Sequence, residues 1–274
     1  MPYTLTDDGV RLHWEETGQG PPVLFVHEFG GDHRSWAPQV ARLRDRFRCL
    51  VFDARGYPPS DVPRDPGAYS QQRAVADVLA VLDAAGEDDA HVVGNSMGGF
   101  ATLHTGLRRP DRVRSLTVAG CGYGAHPDDA AAFRTDALDL ADRYERDGAA
   151  AVARDYGVRP ARLQLRHKDP AAFDEHLRVL AEHDAAGAAA TMRGVQAARP
   201  SLYDLTGELA GLRVPTLFVV GDEDEHALRA TLMLRRTVPG SGLAVLPRSG
   251  HLTNLEEPEL FTALLAAHLT EASG

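Results

Sequence analysis

Short hydrophobic runs recur along the chain, and segments with helical periodicity separate most of them. A short apolar run that is followed by loop residues is typical of a buried strand. Such runs end at His27, Asp53, Ser96, Gly120, Val220 and Leu246. Strands that alternate with helices are typical of parallel pairing. The pattern therefore predicts an α/β fold with a mostly parallel sheet that is covered by helices on both faces.

Proline and apolar periodicity set the expected helix limits. Ser70 to Ala85 repeats apolar residues at helical spacing, which predicts an amphipathic helix. A helix from Met97 should end near Pro110, and the last helix should start at Pro258, because proline fits a helix only in its first turn. Polar and apolar residues alternate around Asp7-Asp8-Gly9, which predicts an N-terminal β-hairpin.

One long stretch, residues 124–205, contains no convincing strand. It is rich in alanine and has helical patterns over Asp128 to Tyr144 and over Pro170 to His183. Because strand-like runs precede and follow it, we predict a helical unit that is inserted into the α/β fold. The core would then consist of residues 1–123 and 206–274.

Composition narrows the class of protein. The chain has 274 residues, of which 43% are hydrophobic, enough for one large core with an inserted subdomain. Its net charge of −10 argues against nucleic acid and anionic membrane surfaces as partners, because both favour basic patches. No apolar run approaches the ~20 residues that span a bilayer. The expected partner is therefore a small molecule, and the sequence does not fix the oligomeric state.

The N-terminal sequence and the cysteines indicate the cellular compartment in which we expect the protein. Residues 1–16 lack the charged and then apolar layout of a signal peptide. Cys49 and Cys121 lie beside predicted core strands, so we expect buried thiols rather than a disulfide. These features predict a cytoplasmic protein.

The segment Val92 to Gly99 carries the clearest chemical signal. It has the pattern of a strand, a sharp turn and a helix, and Gly94-x-Ser96-x-Gly98 matches the nucleophile elbow. A serine hydroxyl is a weak nucleophile and must sit on a tight turn to reach both a base and a substrate. The turn crowds the helix against the strand, so glycine is needed on either side. Ser96 is therefore the candidate nucleophile.

Two later strand ends offer partners for Ser96. The strand Thr216 to Val220 is followed by Asp222, Glu223 and Asp224, and His251 follows the next strand. His251 is the candidate base, because it follows the last predicted strand by only a short loop. The acid that orients it could be Asp224 or Asp222, although Asp222 could instead form a turn with its own backbone.

At this point the chain resembles the α/β-hydrolase superfamily, in which the order along the chain is Ser…Asp…His. Further matching segments are His27-Glu28-Phe29-Gly30-Gly31 after a strand, Asp53-Ala54-Arg55-Gly56 with Ser60, and Asn254 to Pro258. The motifs span residues 23–258. The resemblance implies an α/β-hydrolase fold in which the insertion is a helical cap over the active site.

The resemblance also implies roles for individual residues. The family pattern Gly-x-x-Asp selects Asp224 as the acid. The backbone N–H groups of Phe29 and Met97 would form the oxyanion hole. His27 would hold this backbone and take no part in proton transfer. Apolar cap residues would face the substrate, with Phe133, Leu138, Phe173 and Leu177 as candidates.

Two residues depart from the family pattern. Glu28 stands where the family usually has glycine, and its carboxylate would oppose an oxyanion nearby. Its side chain either turns away to bond the backbone or an arginine, or contacts the substrate; we favour the first. Pro58 replaces the second glycine of Asp-x-Arg-Gly-x-Gly, which predicts a stiffer loop.

The expected activity is that of a serine hydrolase acting on a carbonyl substrate, most simply a carboxylic ester or a lactone. The elbow sequence Gly-Asn-Ser-Met-Gly-Gly also occurs in carbon–carbon bond hydrolases of the meta-cleavage type, which are one alternative. The other is a ligand-binding protein with little turnover. Gly120 to Ala125 nominally fits a dinucleotide fingerprint, but His126-Pro127-Asp128 interrupts the required helix. We therefore expect no cofactor, and no cluster has the spacing of a metal site.

Overall fold

The computed structural model describes residues 2–273. The strands are β1 (Tyr3–Leu5), β2 (Arg11–Thr17), β3 (Pro22–Val26), β4 (Arg48–Phe52), β5 (Ala90–Asn95), β6 (Val113–Ala119), β7 (Thr216–Gly221) and β8 (Gly242–Leu246). The helices are α1 (Ala37–Leu43), α2 (Gln71–Ala85), α3 (Met97–Arg108), α4 (Pro127–Asp147), α5 (Ala149–Tyr156), α6 (Leu163–Lys168), α7 (Pro170–Glu182), α8 (Ala185–Thr191), α9 (Thr206–Gly211), α10 (Glu225–Thr237), α11 (Thr253–Glu256) and α12 (Pro258–Glu271). A π-helical turn, Met192–Gln196, continues α8.

The strands form one sheet in the order β1-β2-β4-β3-β5-β6-β7-β8. The strands β4, β3, β5, β6, β7 and β8 pair in parallel, and β1 and β2 form the predicted antiparallel hairpin at one edge. Each run predicted from the sequence ends no more than one residue from a strand end. The α/β-hydrolase fold with a mostly parallel sheet is therefore confirmed.

Alternate side chains of the central strands fill two separate cores. On β3, Val23 and Phe25 pack on one face with Trp36 and Phe261. Leu24 and Val26 point to the opposite face, where residues of α2 and α3 cover them. All five residues of β3 are buried, as expected for a strand that has helices on both faces.

The chain between β6 and β7 lies over the carboxyl ends of the strands. Within the part that the structure describes, residues 124–205 hold helices and no strand. Tyr144 and Met192 of this segment pack with Phe29, Tyr57 and Met97, which belong to loops and a helix start at the strand ends. The division of the chain at residues 124 and 205 stays a prediction.

Both cysteines are buried and unpaired, as expected from the sequence. Burial raises the pKa of each thiol, Cys49 and Cys121, to about 12. None of the helices in residues 2–273 combines the length and the apolar character that crossing a membrane requires.

Candidate active site

Ser96 occupies a strained turn between β5 and α3. Its φ of 52° is positive, a conformation that costs a non-glycine residue of order 1–3 kcal/mol and is found mainly at functional sites. Gly94 and Gly98 make the turn possible, because a Cβ on Gly94 would overlap the carbonyl oxygen of Gly98. A Cβ on Gly98 would overlap the carbonyl oxygen of Val26 in β3. The glycine spacing thus has the steric cause that the elbow motif predicts.

The three predicted side chains form one hydrogen-bonded chain. His251 Nε2 lies 2.8 Å from Ser96 Oγ, and His251 Nδ1 lies 2.6 Å from Asp224 Oδ2. Asp224 and His251 are both buried. The backbone N–H of His251 donates to the Ala161 carbonyl at 2.7 Å. The inserted segment therefore helps to hold the loop that carries His251. The geometry places the base within hydrogen-bond reach of both the nucleophile and the acid.

Asp222, the alternative acid, has a different environment. It is exposed, and its Oδ1 accepts a hydrogen bond from the Ser249 N–H at 3.1 Å. This contact joins the two loops that follow β7 and β8. The geometry therefore favours Asp224 as the partner of His251, whereas Asp222 links the two loops.

The loop after β3 lies directly against the elbow. Among residues 2–273, the Phe29 N–H has no acceptor, and the Met97 N–H is at the first turn of α3, where no acceptor within the helix is available. His27 Nε2 accepts from the Ala54 N–H at 3.0 Å, so its Nδ1 carries the proton and donates to the Glu28 carbonyl at 2.8 Å. Both ring nitrogens of His27 thus hold backbone. The assignment of Phe29 and Met97 as oxyanion hole stays a prediction.

Glu28 points away from the substrate side of this loop. Its side chain is fully buried, and Oε1 accepts from the Ser35 hydroxyl at 3.1 Å. Oε2 is buried and has no partner among the described residues. Gly31 makes room for the carboxyl, since a Cβ there would overlap Oε1. The geometry favours the first of the two alternatives, with the Ser35 hydroxyl as a partner that the sequence does not suggest.

Replacing Glu28 with glutamine should alter the pH dependence of stability. Burial raises the pKa of Glu28, so its contribution to stability is present below the unfolded pKa and is lost as pH rises through the folded pKa. The neutral amide removes this loss. Relative to the wild type, Glu28→Gln should therefore gain free energy of unfolding as pH rises above 4.5, the ordinary pKa of a glutamate, by at most about 1.4 kcal/mol per pH unit.

Urea unfolding at pH 5 and at pH 7 measures how the stability difference between the two proteins changes with pH. Glu259→Gln is the matched control, because Glu259 is an exposed carboxylate on α12 and should give the same difference at both pH values. A wild type and a Glu28→Gln variant whose stabilities change in parallel with pH would contradict a pKa of Glu28 that burial raises.

A cavity of about 310 Å³ opens beside the hydrogen-bonded chain. Ser96 and His251 line it from the sheet side. Its remaining lining comes largely from residues of the inserted segment, among them Phe133, Leu140, Tyr156, Arg159, Arg162, Met192, Gln196 and Arg199. Its volume is at the lower end of the range for small-molecule sites.

Only one of the four apolar residues expected to face the substrate lies in this lining. Phe133 does so, whereas Phe173 and Leu177 pack with Leu165 and Leu252 in a separate core, and Leu138 is exposed. Helical periodicity identifies an apolar face but not the element against which it packs.

The structure also assembles a cluster that the sequence does not suggest. Ligand-type atoms of His13, His33 and Asp53 lie within 4.8 Å of one another. The Nδ1 atoms of His13 and His33 lie 2.7 and 2.9 Å from the Asp53 carboxylate, which are ordinary hydrogen-bond distances. Asp53 Oδ1 also accepts from the His33 N–H at 2.9 Å. Both Nδ1 atoms thus bond Asp53, whereas His13 Nε2 is buried without a hydrogen-bond partner among the described residues. The three residues are too far apart in sequence to form a local motif.

Comparisons with known proteins agree with this architecture. The family model described as alpha/beta hydrolase fold matches residues 21–258. The 3-oxoadipate enol-lactonase 1 of Acinetobacter baylyi is 29% identical over 90% of this chain and 87% of its own length. The 2-hydroxymuconate semialdehyde hydrolase of Pseudomonas putida is 29% identical over 96% of this chain and 92% of its own length.

A solved structure extends the likeness to three dimensions. The thermophilic esterase of Thermogutta terrifontis is 28% identical, with a TM-score of 0.87 over 99% of this chain and 98% of its own. These relatives are similar along nearly the whole chain, and each is named as a hydrolase, a lactonase or an esterase. The chain therefore belongs to the α/β-hydrolase fold family and is a hydrolase of that family.

Proposed function

We propose that this protein is a serine hydrolase that cleaves a carboxylic ester or a lactone through an acyl-enzyme on Ser96. The observation that carries the proposal is the continuous hydrogen-bonded chain from Ser96 Oγ through His251 to Asp224, which faces a cavity of small-molecule size. The matches to a lactonase and an esterase support the same class of substrate. No cofactor or metal is needed for this chemistry.

The reaction follows from the positions of the side chains. His251 Nε2 removes the proton from Ser96 Oγ as the oxygen attacks the substrate carbonyl. The N–H groups of Phe29 and Met97 stabilise the oxyanion of the tetrahedral intermediate. The protonated His251, stabilised by Asp224, then donates its proton to the leaving group, and the acyl-enzyme forms. Water then attacks the acyl carbonyl and gives a proton to His251, and His251 returns that proton to Ser96 Oγ as the acid is released.

The inserted segment, residues 124–205, acts in this scheme as a cap that selects the substrate. It supplies most of the cavity lining, whereas the core residues 1–123 and 206–274 supply the reacting groups. By covering the strand ends, the segment also keeps part of the bulk water away from the oxyanion, which strengthens each hydrogen bond to it.

Carbon–carbon bond hydrolysis of the meta-cleavage type stays as the second candidate. The match to the 2-hydroxymuconate semialdehyde hydrolase favours it, since that match covers nearly the whole chain. The same serine, histidine and acid would act on a vinylogous ketone instead of an ester. A low-turnover binding protein would require this hydrogen-bonded chain to be intact and yet unused.

A panel of three substrates tests the proposal. We expect higher kcat/KM for p-nitrophenyl butyrate and for the aryl lactone dihydrocoumarin than for a 2-hydroxy-6-oxodienoate. Hydrolysis of the first two is measured by the release of product, and hydrolysis of the third by the loss of dienoate absorbance. The reverse order would make carbon–carbon hydrolysis the main activity. Less than one turnover per enzyme molecule on all three, with the protein folded, would favour the binding protein.

A further inference from the structure

Arginine is concentrated in the wall of the cavity beside Ser96. Arg159, Arg162 and Arg199 all line it, although the protein as a whole carries a net charge of −10. Arg162 is the most deeply buried of them and is only 6% exposed. Burying a guanidinium costs free energy unless an anion or hydrogen-bond acceptors compensate its charge. The partners of Arg162 therefore indicate whether this wall of the cavity binds an anion.

The partners of Arg162 are incomplete. Its Nη2 donates to the Tyr156 hydroxyl at 2.9 Å, and its Cζ lies 4.3 Å from the centre of the Tyr156 ring. Its Nε is buried and has no acceptor among the described residues. Within residues 2–273, no carboxylate oxygen lies within 4.0 Å of Arg162, Arg159 or Arg199. Nε itself is closed off from the cavity, whereas Nη1 is accessible and makes no hydrogen bond with the described residues, so Nη1 is the donor that remains for a ligand.

A second guanidinium adds to the positive potential. The Cζ of Arg159 lies 4.9 Å from the centre of the same Tyr156 ring. Two like charges on one ring repel each other, and an anion between them or beside them would relieve that repulsion. Arg199 adds positive charge from another side of the cavity, and its Nη2 donates to the Tyr123 carbonyl at 2.6 Å.

The acidic groups around the cavity leave Arg162 unneutralised. Glu28 is the buried carboxyl whose charge acts on Arg162, but burial raises the pKa of Glu28 and so favours its neutral form. Asp136, Glu223 and Glu225 also line the cavity, but they are exposed at its rim, where water screens them. Asp224 is already bound to His251.

Arg162 is fixed close to the reacting groups. The residue before it, Ala161, accepts the His251 N–H at 2.7 Å through its carbonyl. An anion on Arg162 would therefore lie in the same cavity as Ser96 Oγ and form part of the molecule that reacts there. The two Nη groups of a guanidinium also present N–H donors side by side, which matches the two oxygens of a planar carboxylate.

We propose that Arg162 binds a carboxylate of the substrate, and that this hydrolase therefore prefers esters or lactones that carry a negative charge. The inference rests on the proposed function and names the substrate class for the same site. Arg162 would contact the substrate directly, and Arg159 would raise the local potential.

Two esters of equal chain length test this preference. Mono-p-nitrophenyl glutarate carries a free carboxylate, and p-nitrophenyl methyl glutarate carries a neutral methyl ester at the same position. For the wild type we expect kcat/KM to be at least about tenfold higher for the anionic ester. Arg162→Gln should lower kcat/KM for the anionic ester by about 10- to 100-fold, the worth of a charged hydrogen bond, and bring the ratio of the two substrates near one.

Two further variants separate charge from structure. Arg166→Gln removes an exposed arginine of α6 and should keep the wild-type ratio. Arg162→Lys keeps the positive charge without the planar fork and should retain part of the preference. Equal ratios in the wild type and in Arg162→Gln, or a wild type without any preference for the anionic ester, would overturn the proposal.

A binding measurement keeps the inference independent of turnover. Calorimetric titration of the Ser96→Ala protein with glutarate should give saturable binding, which the double variant Ser96→Ala/Arg162→Gln should lose. If neither ester is hydrolysed while glutarate still binds through Arg162, the proposed reaction fails and the carboxylate site stands. If both esters are hydrolysed equally and glutarate does not bind, the carboxylate site fails and the hydrolase stands.

Discussion

Ser96→Ala is expected to lower kcat for ester hydrolysis by about 10⁴- to 10⁶-fold, the range found when the nucleophile of other serine hydrolases is removed. The reason is geometric, because Ser96 Oγ lies 2.8 Å from His251 Nε2 and is held at the apex of a strained turn in the cavity wall. Alanine removes the attacking oxygen and leaves the turn, the base and the cavity in position.

Labelling by a fluorophosphonate probe measures the reactivity of Ser96 without a natural substrate. The wild type should be modified once, on the peptide that contains Ser96, and Ser96→Ala should not be modified. Ser273→Ala is the control, since its hydroxyl is bound to the Leu269 carbonyl and lies in the C-terminal segment. Modification of another serine in the wild type, with Ser96 unlabelled, would rule out the proposed nucleophile.

The elbow could be predicted from sequence because its determinants are local. Gly94, Ser96 and Gly98 lie within five residues, and each glycine is required by an overlap that the fold itself creates. His251 and Asp224 could be predicted because they follow strands that the hydrophobic pattern identifies. The carboxyl ends of neighbouring parallel strands, here β7 and β8, meet at one edge of the sheet.

The cavity wall could not be predicted in the same way. Arg162 lies in the inserted segment, and its sequence neighbours give no sign that its Nε lacks an acceptor. That property depends on Tyr156, on the link between Ala161 and His251, and on the absence of a carboxylate within reach among the described residues. Such contacts arise only when the helices pack over the strand ends.

The role of Glu28 could be predicted from the sequence only in part. Its departure from the family pattern is visible in the sequence, and so is the electrostatic problem that it poses. The solution is tertiary, because Ser35 and Gly31 together form a pocket that accepts the buried carboxyl. The sequence therefore limited Glu28 to two alternatives, and the packing around it favours one of them.

Asp224→Asn should lower kcat by about 10⁴-fold, because the amide would hold the wrong tautomer of His251. Asp224 Oδ2 lies 2.6 Å from His251 Nδ1, which makes Nδ1 the donor and leaves Nε2 free to accept the Ser96 proton. The NH₂ group of asparagine can donate to Nδ1 instead. The proton then moves to Nε2, and His251 can no longer act as the base.

Asp222→Asn is a closely matched control. It makes the same change two residues away, in the same loop after β7, where the exposed side chain accepts the Ser249 N–H. We expect it to change kcat by less than about threefold, since an amide oxygen can accept that bond equally well. Steady-state kinetics on p-nitrophenyl butyrate compare the two variants, and calorimetric unfolding checks that both fold. A large loss in Asp222→Asn together with a small one in Asp224→Asn would move the acid to Asp222, and would require the loops after β7 and β8 to rearrange before the reaction.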